Sequence, residues 1–152
     1  MRSVQICHYS IMKYQIKLGD WVTLQPQAQA IRFAVFVNEQ QVPAEIELDE
    51  MDPLCLHAVA YDAEGQAIGT GRLLPDGHIG RMAVMKVARG TGVGGAILQA
   101  LMQAAQERGD SGVVLNAQTQ AEGFYGQFGF VRHGDEFDDA GIPHIEMRLK
   151  FA

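Results

Sequence analysis

The chemistry-bearing stretch of this chain is residues 79–98, IGRMAVMKVARGTGVGGAIL. An apolar run enters a turn with glycines at 90, 92, 94 and 95, and a helical pattern follows. The first four N–H groups of a helix lack partners within it, and the helix dipole favours negative charge at that end. Glycines let such a backbone approach a phosphate without Cβ collisions. Lys86 and Arg89 add positive charge at the same turn. These residue types in this order point to pyrophosphate held by backbone N–H groups. Two common pyrophosphate motifs do not fit. Residues 90–95, GTGVGG, satisfy GxGxxG, and Asp110 stands 20 residues after Gly90. The dinucleotide fingerprint, however, follows the first strand of a βαβ unit directly. Here residues 85–89 intervene after antiparallel strands, Asp110 ends a helix, and only 57 residues follow Gly95. No GKS or GKT is present to make a P-loop.

The elements that must carry this turn can be read from periodicity. Residues 14–18 alternate as a short first strand, and Pro26 suits the first turn of a helix running to about residue 38. Residues 39–56 contain two prolines and six acids with no steady period, and are expected as an ordered loop or short turns. Residues 57–61, 66–74 and 78–85, joined by the turns DAEG and PDG, form an antiparallel meander. The long helix spans about residues 91–108, its apolar positions Val93, Ile97, Leu98, Leu101, Met102 and Ala105 fitting a 3.6 period. Residues 113–117 are a buried strand, 121–128 a short helix, 130–133 a strand, and 143–151 a closing strand with alternation. The class is α+β (α/β), with a mixed central sheet of about six to seven strands flanked by helices. Residues 1–12, ending where Met12-Lys13 has the character of an alternative start, are expected as an N-terminal tail; residues 13–152 form a single domain.

The glycine turn resembles the acetyl-CoA motif of the GNAT superfamily of N-acetyltransferases, [QR]-x-x-G-x-[GA]: Arg89-Gly90-Thr91-Gly92-Val93-Gly94 fills every fixed slot. Met82, Ala83 and Val84 match the apolar strand end whose backbone pairs with the pantetheine arm in that family. Downstream, residues 121–130, AEGFYGQFGF, resemble the family's A-x-x-[FL]-Y-x-x-x-G-F signature. Residues 36–40, FVNEQ, and 141–144, GIPH, are similar to the small ElaA- and YjcF-like branch. The resemblance covers roughly residues 13–150. It implies a GNAT fold and acetyl-CoA as co-substrate, with Arg89, Gly90, Thr91, Gly92, Val93, Gly94 and Gly95 around the pyrophosphate. It also implies that the strand ending near Val84 splays from the next strand, exposing a backbone N–H to the thioester oxygen.

By the same resemblance Tyr125 is the acid that protonates the leaving thiolate. A thiol of pKa about 8.5 and a phenol of about 10 are close enough for that transfer. Gln118 occupies a slot where many relatives carry Asn, and a longer amide there could bond the coenzyme arm. The strand before the loop, HIGRM, lacks the acid that many members place there. The base is therefore open among Glu39, Glu47, Asp49, Asp52, His57, His133 and His144. His144 leads, because an imidazole titrates near neutrality. The acids at 45–52 read chiefly as a solvated loop, with a pocket for a cationic substrate as the other reading.

The reaction expected is direct attack by a primary amine on acetyl-CoA; the alternative is a non-catalytic acyl-CoA-binding sensor or regulatory module. Composition fits either. A net charge of −6 excludes a broad nucleic-acid-binding face but not a local anion site. Cys7 and Cys55 lack CxxC spacing and a nucleophile context, so neither a metal nor a covalent acyl-enzyme is expected. No apolar run reaches 18 residues and no signal peptide precedes the domain, which reads as cytoplasmic. The partners expected are acetyl-CoA and a small or peptide amine, with a second copy of the chain as a candidate and no nucleic acid or membrane.

Overall fold

Apolar runs along Leu56–Tyr61 (β3) and Ala67–Leu73 (β4) are buried on both faces, so the centre of the sheet must be covered by helices on either side. The computed structural model describes residues 14–152 and the backbone of residues 5–9. Of the expected tail, residues 1–4 and 10–12 lie outside the described residues, whereas Gln5–Tyr9 form β1, antiparallel to β2 (Tyr14–Gly19). β5 (His78–Val84) completes the meander. β6 (Gly112–Gln118) and β9 (Ile142–Lys150) follow, with the short β7 (Val131–Arg132) and β8 (Phe137–Asp139) both paired to β9. The order is β1-β2-β3-β4-β5-β6-β9-β7. All seven expected strands are present, and β1 and β8 bring the number to nine among the described residues. Only β5 and β6 run parallel.

α1 (Trp21–Arg32) begins five residues before the expected start, because Asp20 accepts a hydrogen bond from Thr23 N at 3.0 Å and caps it. Pro26 therefore lies inside the helix, where it removes one backbone hydrogen bond. From Phe33 the chain continues as a π-helix, Phe33–Glu39, closed by Gln40 N to Val35 O at 3.1 Å. The wider winding is a local irregularity of the kind that re-aims side chains at functional sites. A short α2 (Ala44–Glu47) and a 3₁₀ turn (Asp52–Leu54) fill the expected irregular stretch. α3 (Val93–Arg108) and α4 (Glu122–Gly126) complete the helices.

Alternation divides two cores. Ala58, Ala60, Ile145 and Met147 pack with Ile97, Leu98 and Leu101 of α3. Val59 and Ala83 face the other way, against Trp21, Leu24, Ala28 and Ile31 of α1. Each fully buried Leu or Ile contributes about 1.5–3 kcal/mol of burial free energy. Two clamped layers thus hold β5 from both sides.

Candidate active site

β5 and β6 pair only at His78–Val114 and Ile79–Leu115, after which the strands part. From Gly80 to Val84, β5 presents an edge that β6 does not use. β5 is bulged: Arg72 lies opposite Gly80 and Thr70 opposite Ala83, so Arg81 and Met82 share one partner, Gly71. Arg81 takes φ +49°, a left-handed conformation that only a bulge of this kind makes tolerable in a strand. A Cβ on residue 71 would stand 2.7 Å from Met82 Sδ and 3.0 Å from Leu101 Cδ1, so a larger residue opposite the bulge would have to displace these side chains. The divergence opens a cleft of about 470 Å³.

Several elements line it. β5 gives the residues from His78 to Val84, and the π-helix and its exit give Val35, Phe36, Glu39 and Gln40. Arg89, Gln118, Tyr125 and His144 close the other sides. Of the residues singled out in the sequence, Met82, Ala83, Val84, Arg89, Gln118, Tyr125 and His144 therefore meet at one cleft. Gly90, Thr91, Gly92, Val93, Gly94 and Gly95 lie just beyond Arg89, in the turn that enters α3.

That turn has the features of an anion cradle. Gly92 is the N-cap of α3 at φ +89°, and no side chain caps the helix. Ala96 N is the first N–H to close inside, onto Gly92 O at 3.1 Å. Val93 turns its side chain into the core and offers only backbone. Thr91 Oγ1 donates to Ala88 O, which tightens the turn. A Cβ on Gly95 would lie 2.8 Å from Phe128 Cζ, so this glycine serves close packing of the Phe128 ring just after α4. Arg89 reaches back from the turn: Nε donates to Val84 O at 3.0 Å, and a terminal N–H donates to Glu39 Oε1 at 2.7 Å. The Arg89 hydrogen bond holds the Glu39 carboxyl below its usual range.

Tyr125 sits on α4, edge-on to Phe124 at 5.0 Å and to Phe130 at 6.1 Å. Burial pushes its phenol up to about 12, so it is protonated throughout the neutral range. Its hydroxyl has no hydrogen-bond partner among the described residues. His144 pairs in register with Gln118 across β6 and β9. Its Nδ1 lies 2.7 Å from Ile142 O; a carbonyl only accepts, so Nδ1 carries a proton, and in the neutral ring Nε2 is the acceptor. The ring stacks on Phe137 at 5.9 Å. The Gln118 amide donates to Gln40 Oε1 at 2.8 Å and accepts from Gln120, tying the end of β6 to the π-helix wall.

Of the acids at 45–52, Glu45 and Glu50 are exposed, but Glu47, Asp49 and Asp52 form an ion cluster rather than a solvated loop. Arg32 is 1% exposed and binds Glu47 Oε2, Glu47 O and both oxygens of Asp52. Arg72 donates to Asp49 and Asp52, and Arg81 to Asp49 and the carbonyls of Ile46 and Glu47. The Arg72 hydrogen bond holds Asp49 at about 2. Burial raises Asp52, but its bonds to Arg32, Asp49 N and Arg72 outweigh that and leave it lowered. Glu47 goes the other way: desolvation exceeds the help of its arginines, and its pKa is raised. His57, a base candidate, is 1% exposed, bonds Asp52 O at 2.8 Å and packs on Trp21, so it belongs to the core. His133 is exposed and outside the cleft. Among the described residues no group of three or more His, Cys, Asp or Glu could hold a metal ion.

A mostly antiparallel open sheet, split between two parallel strands beside a glycine-rich helix start, defines an acyl-CoA-dependent acyltransferase architecture. The acetyltransferase (GNAT) domain family matches residues 23–151, and the chain belongs to that family. It is similar to the uncharacterized N-acetyltransferase YjcF of Bacillus subtilis, 49% identical over 121 residues that cover 77% of this chain and 86% of that protein. Among solved structures, an acyl-CoA N-acyltransferase from Pseudomonas aeruginosa is 31% identical with a TM-score of 0.78, covering 89% of this chain and 98% of that one. Escherichia coli ElaA is 26% identical with a TM-score of 0.78, covering 98% and 100%. The ElaA- and YjcF-like resemblance therefore holds, and the protein is an acyltransferase of that branch. No helix among the described residues is long and apolar enough to cross a membrane.

Proposed function

We propose that this protein transfers acetyl from acetyl-CoA directly to a primary amine. The observation that carries the reading is the edge of β5 from Gly80 to Val84 that β6 leaves unpaired, opening between an uncapped helix start and an unpartnered tyrosine hydroxyl. N–H groups from Gly92 to Gly95 and the Arg89 guanidinium would hold the pyrophosphate. The Met82, Ala83 and Val84 backbone would pair with the pantetheine arm, and Gln118 borders its path. Acetyl-CoA supplies the activated acetyl thioester.

On this reading a backbone N–H of the free β5 edge donates to the thioester oxygen as negative charge develops there. His144 Nε2 accepts a proton from the amine nitrogen as that nitrogen bonds to the carbonyl carbon. Tyr125 donates its proton to the sulfur as the C–S bond breaks, leaving CoA as the free thiol. A phenol at about 12 is a weak acid in water terms. The same burial raises a thiolate placed beside it, so the two shift together and the transfer stays feasible.

Titration calorimetry with acetyl-CoA and CoA release with a panel of primary amines test the reading together. Binding with amine-dependent CoA release supports it. Binding with only slow thioester hydrolysis across the panel supports an acyl-CoA-sensing module instead. Binding of NAD in preference to CoA overturns both.

A further inference from the structure

Each arginine that lines the cleft makes ion pairs or hydrogen bonds, although the buried Arg72 Nε has no partner among the described residues. Arg72 serves Asp49 and Asp52, Arg81 serves Asp49 and two carbonyls, and Arg89 serves Glu39 and Val84 O. Three acceptors are left over on the cleft wall, His144 Nε2, the Asp139 carboxylate and one oxygen of Glu47, beside two unpartnered donors, Arg72 Nε and the Tyr125 hydroxyl. Glu47 is the informative one. Asp49 and Asp52 each use both oxygens on arginine or backbone N–H donors. Glu47 uses only Oε2, which Arg32 Nε meets at 2.8 Å and Arg81 Nε at 3.3 Å. Its Oε1 has no hydrogen-bond partner among the described residues and keeps a small opening to the cleft, although the side chain as a whole is 3% exposed.

A carboxylate oxygen that meets only the cleft can take a donor delivered by a ligand without breaking a bond inside the protein. Two arginines fix the carboxylate plane from behind, so the free oxygen has a set direction. Side-chain parity puts Glu47 and His144 on the same side of the sheet, and both line the cleft. Ile145 and Met147 turn towards the α3 core, so His144 faces the opposite side of the sheet, which carries α1, the π-helix and α2. The thioester-side tyrosine and the amine-side acceptors thus occupy different walls.

Resting on the acetyl-transfer reading above, we propose that Glu47 is the specificity-determining carboxylate of the acceptor site: its Oε1 receives an N–H of a cationic group, so amines carrying positive charge are selected over neutral or anionic ones. Desolvation of Glu47 supports this, since an ammonium replaces the hydration that burial removed.

The test uses the full chain and primary amines of graded charge: 1,5-diaminopentane as dication, methoxyamine as neutral nucleophile, β-alanine as zwitterion. Wild type should show its highest kcat/KM with the diamine. Glu47→Gln should lower that value about 10- to 100-fold, the range for losing one hydrogen bond to a charged group. Methoxyamine turnover and the acetyl-CoA Kd should change less than about threefold. Glu47→Asp keeps the charge on a shorter stem and should recover part of the selectivity. Wild type that prefers methoxyamine or β-alanine overturns the inference, with or without a folded Gln variant. So does a Gln variant that loses all three amines equally while binding acetyl-CoA normally. Failure of wild type to bind acetyl-CoA is a different result, and it refutes the acetyl-transfer reading instead.

Discussion

Replacing Arg32 with Met keeps the length and removes the charge at the centre of the buried ion cluster. Arg32 makes four hydrogen bonds, to Glu47 Oε2, Glu47 O and the two oxygens of Asp52. After the change Glu47 keeps Arg81 and Asp52 keeps Arg72, but both carboxylates stay buried. Breaking one side of a buried pair costs about 3–5 kcal/mol, and the surviving arginines place this case near 3 kcal/mol. A domain of this size holds about 5–15 kcal/mol in all. With a urea dependence of about 1–3 kcal/mol per molar, the midpoint should fall by roughly 1–3 M. The deficit also has a pH signature. Loss of the cation raises both carboxyl pKa values, so protonation removes the unpaired charge and the gap to wild type narrows as pH falls from 7 towards 4. A loss below about 1 kcal/mol, typical of exposed pairs, with no pH dependence would refute the assignment of this cluster as a buried scaffold.

Tyr125→Phe should lower kcat about 10²- to 10⁴-fold while leaving the acetyl-CoA Kd unchanged; an undiminished rate would remove the tyrosine from the chemistry. Because burial holds that phenol at about 12, wild-type kcat should show no loss from its ionisation until the pH nears that value. Glu39→Gln frees Arg89 from its ion pair and should tighten acetyl-CoA about two- to fivefold in calorimetry, whereas weaker binding would mean that the pair positions Arg89 productively. Asp49, held at about 2 against an ordinary 3.8, contributes stability that is complete above 3.8 and is lost as pH falls through 2. Asp49→Asn should therefore flatten the acid limb of a stability-against-pH curve, and superimposable acid limbs would show that its arginine contacts do not persist in solution.

Much of the scaffold was legible because it obeys local rules. The period of Val93, Ile97, Leu98 and Leu101 gave α3, and the tight turns gave the meander. The cradle was legible because glycine at φ +89° and a helix start without a cap both leave marks in sequence. The start of α1 was misread because Pro26 is a strong signal, while the Asp20 cap five residues before it is a weaker one. The π-helix leaves no mark at all: residues 33–39 fit a 3.6 period, and the wider winding answers to packing against the cleft. The ion cluster was hidden for another reason. Arg32, Glu47, Asp52 and Arg72 are scattered over forty positions, and each alone looks like a surface charge. Burial of an acid depends on a partner from another element, and one sequence cannot show that pairing.

A strand with open N–H and C=O groups is ordinarily a sticky flank that recruits neighbouring chains into aggregates. Here the open flank of β5 lies in the interior of the sheet, walled by α1 on one side and α3 on the other. No second protein's β-ribbon can slide edge-on into so narrow a wedge, whereas a slender, linear amide-bearing tether can. Shielding from self-association and selection for an elongated coenzyme are thus the same property of one gap.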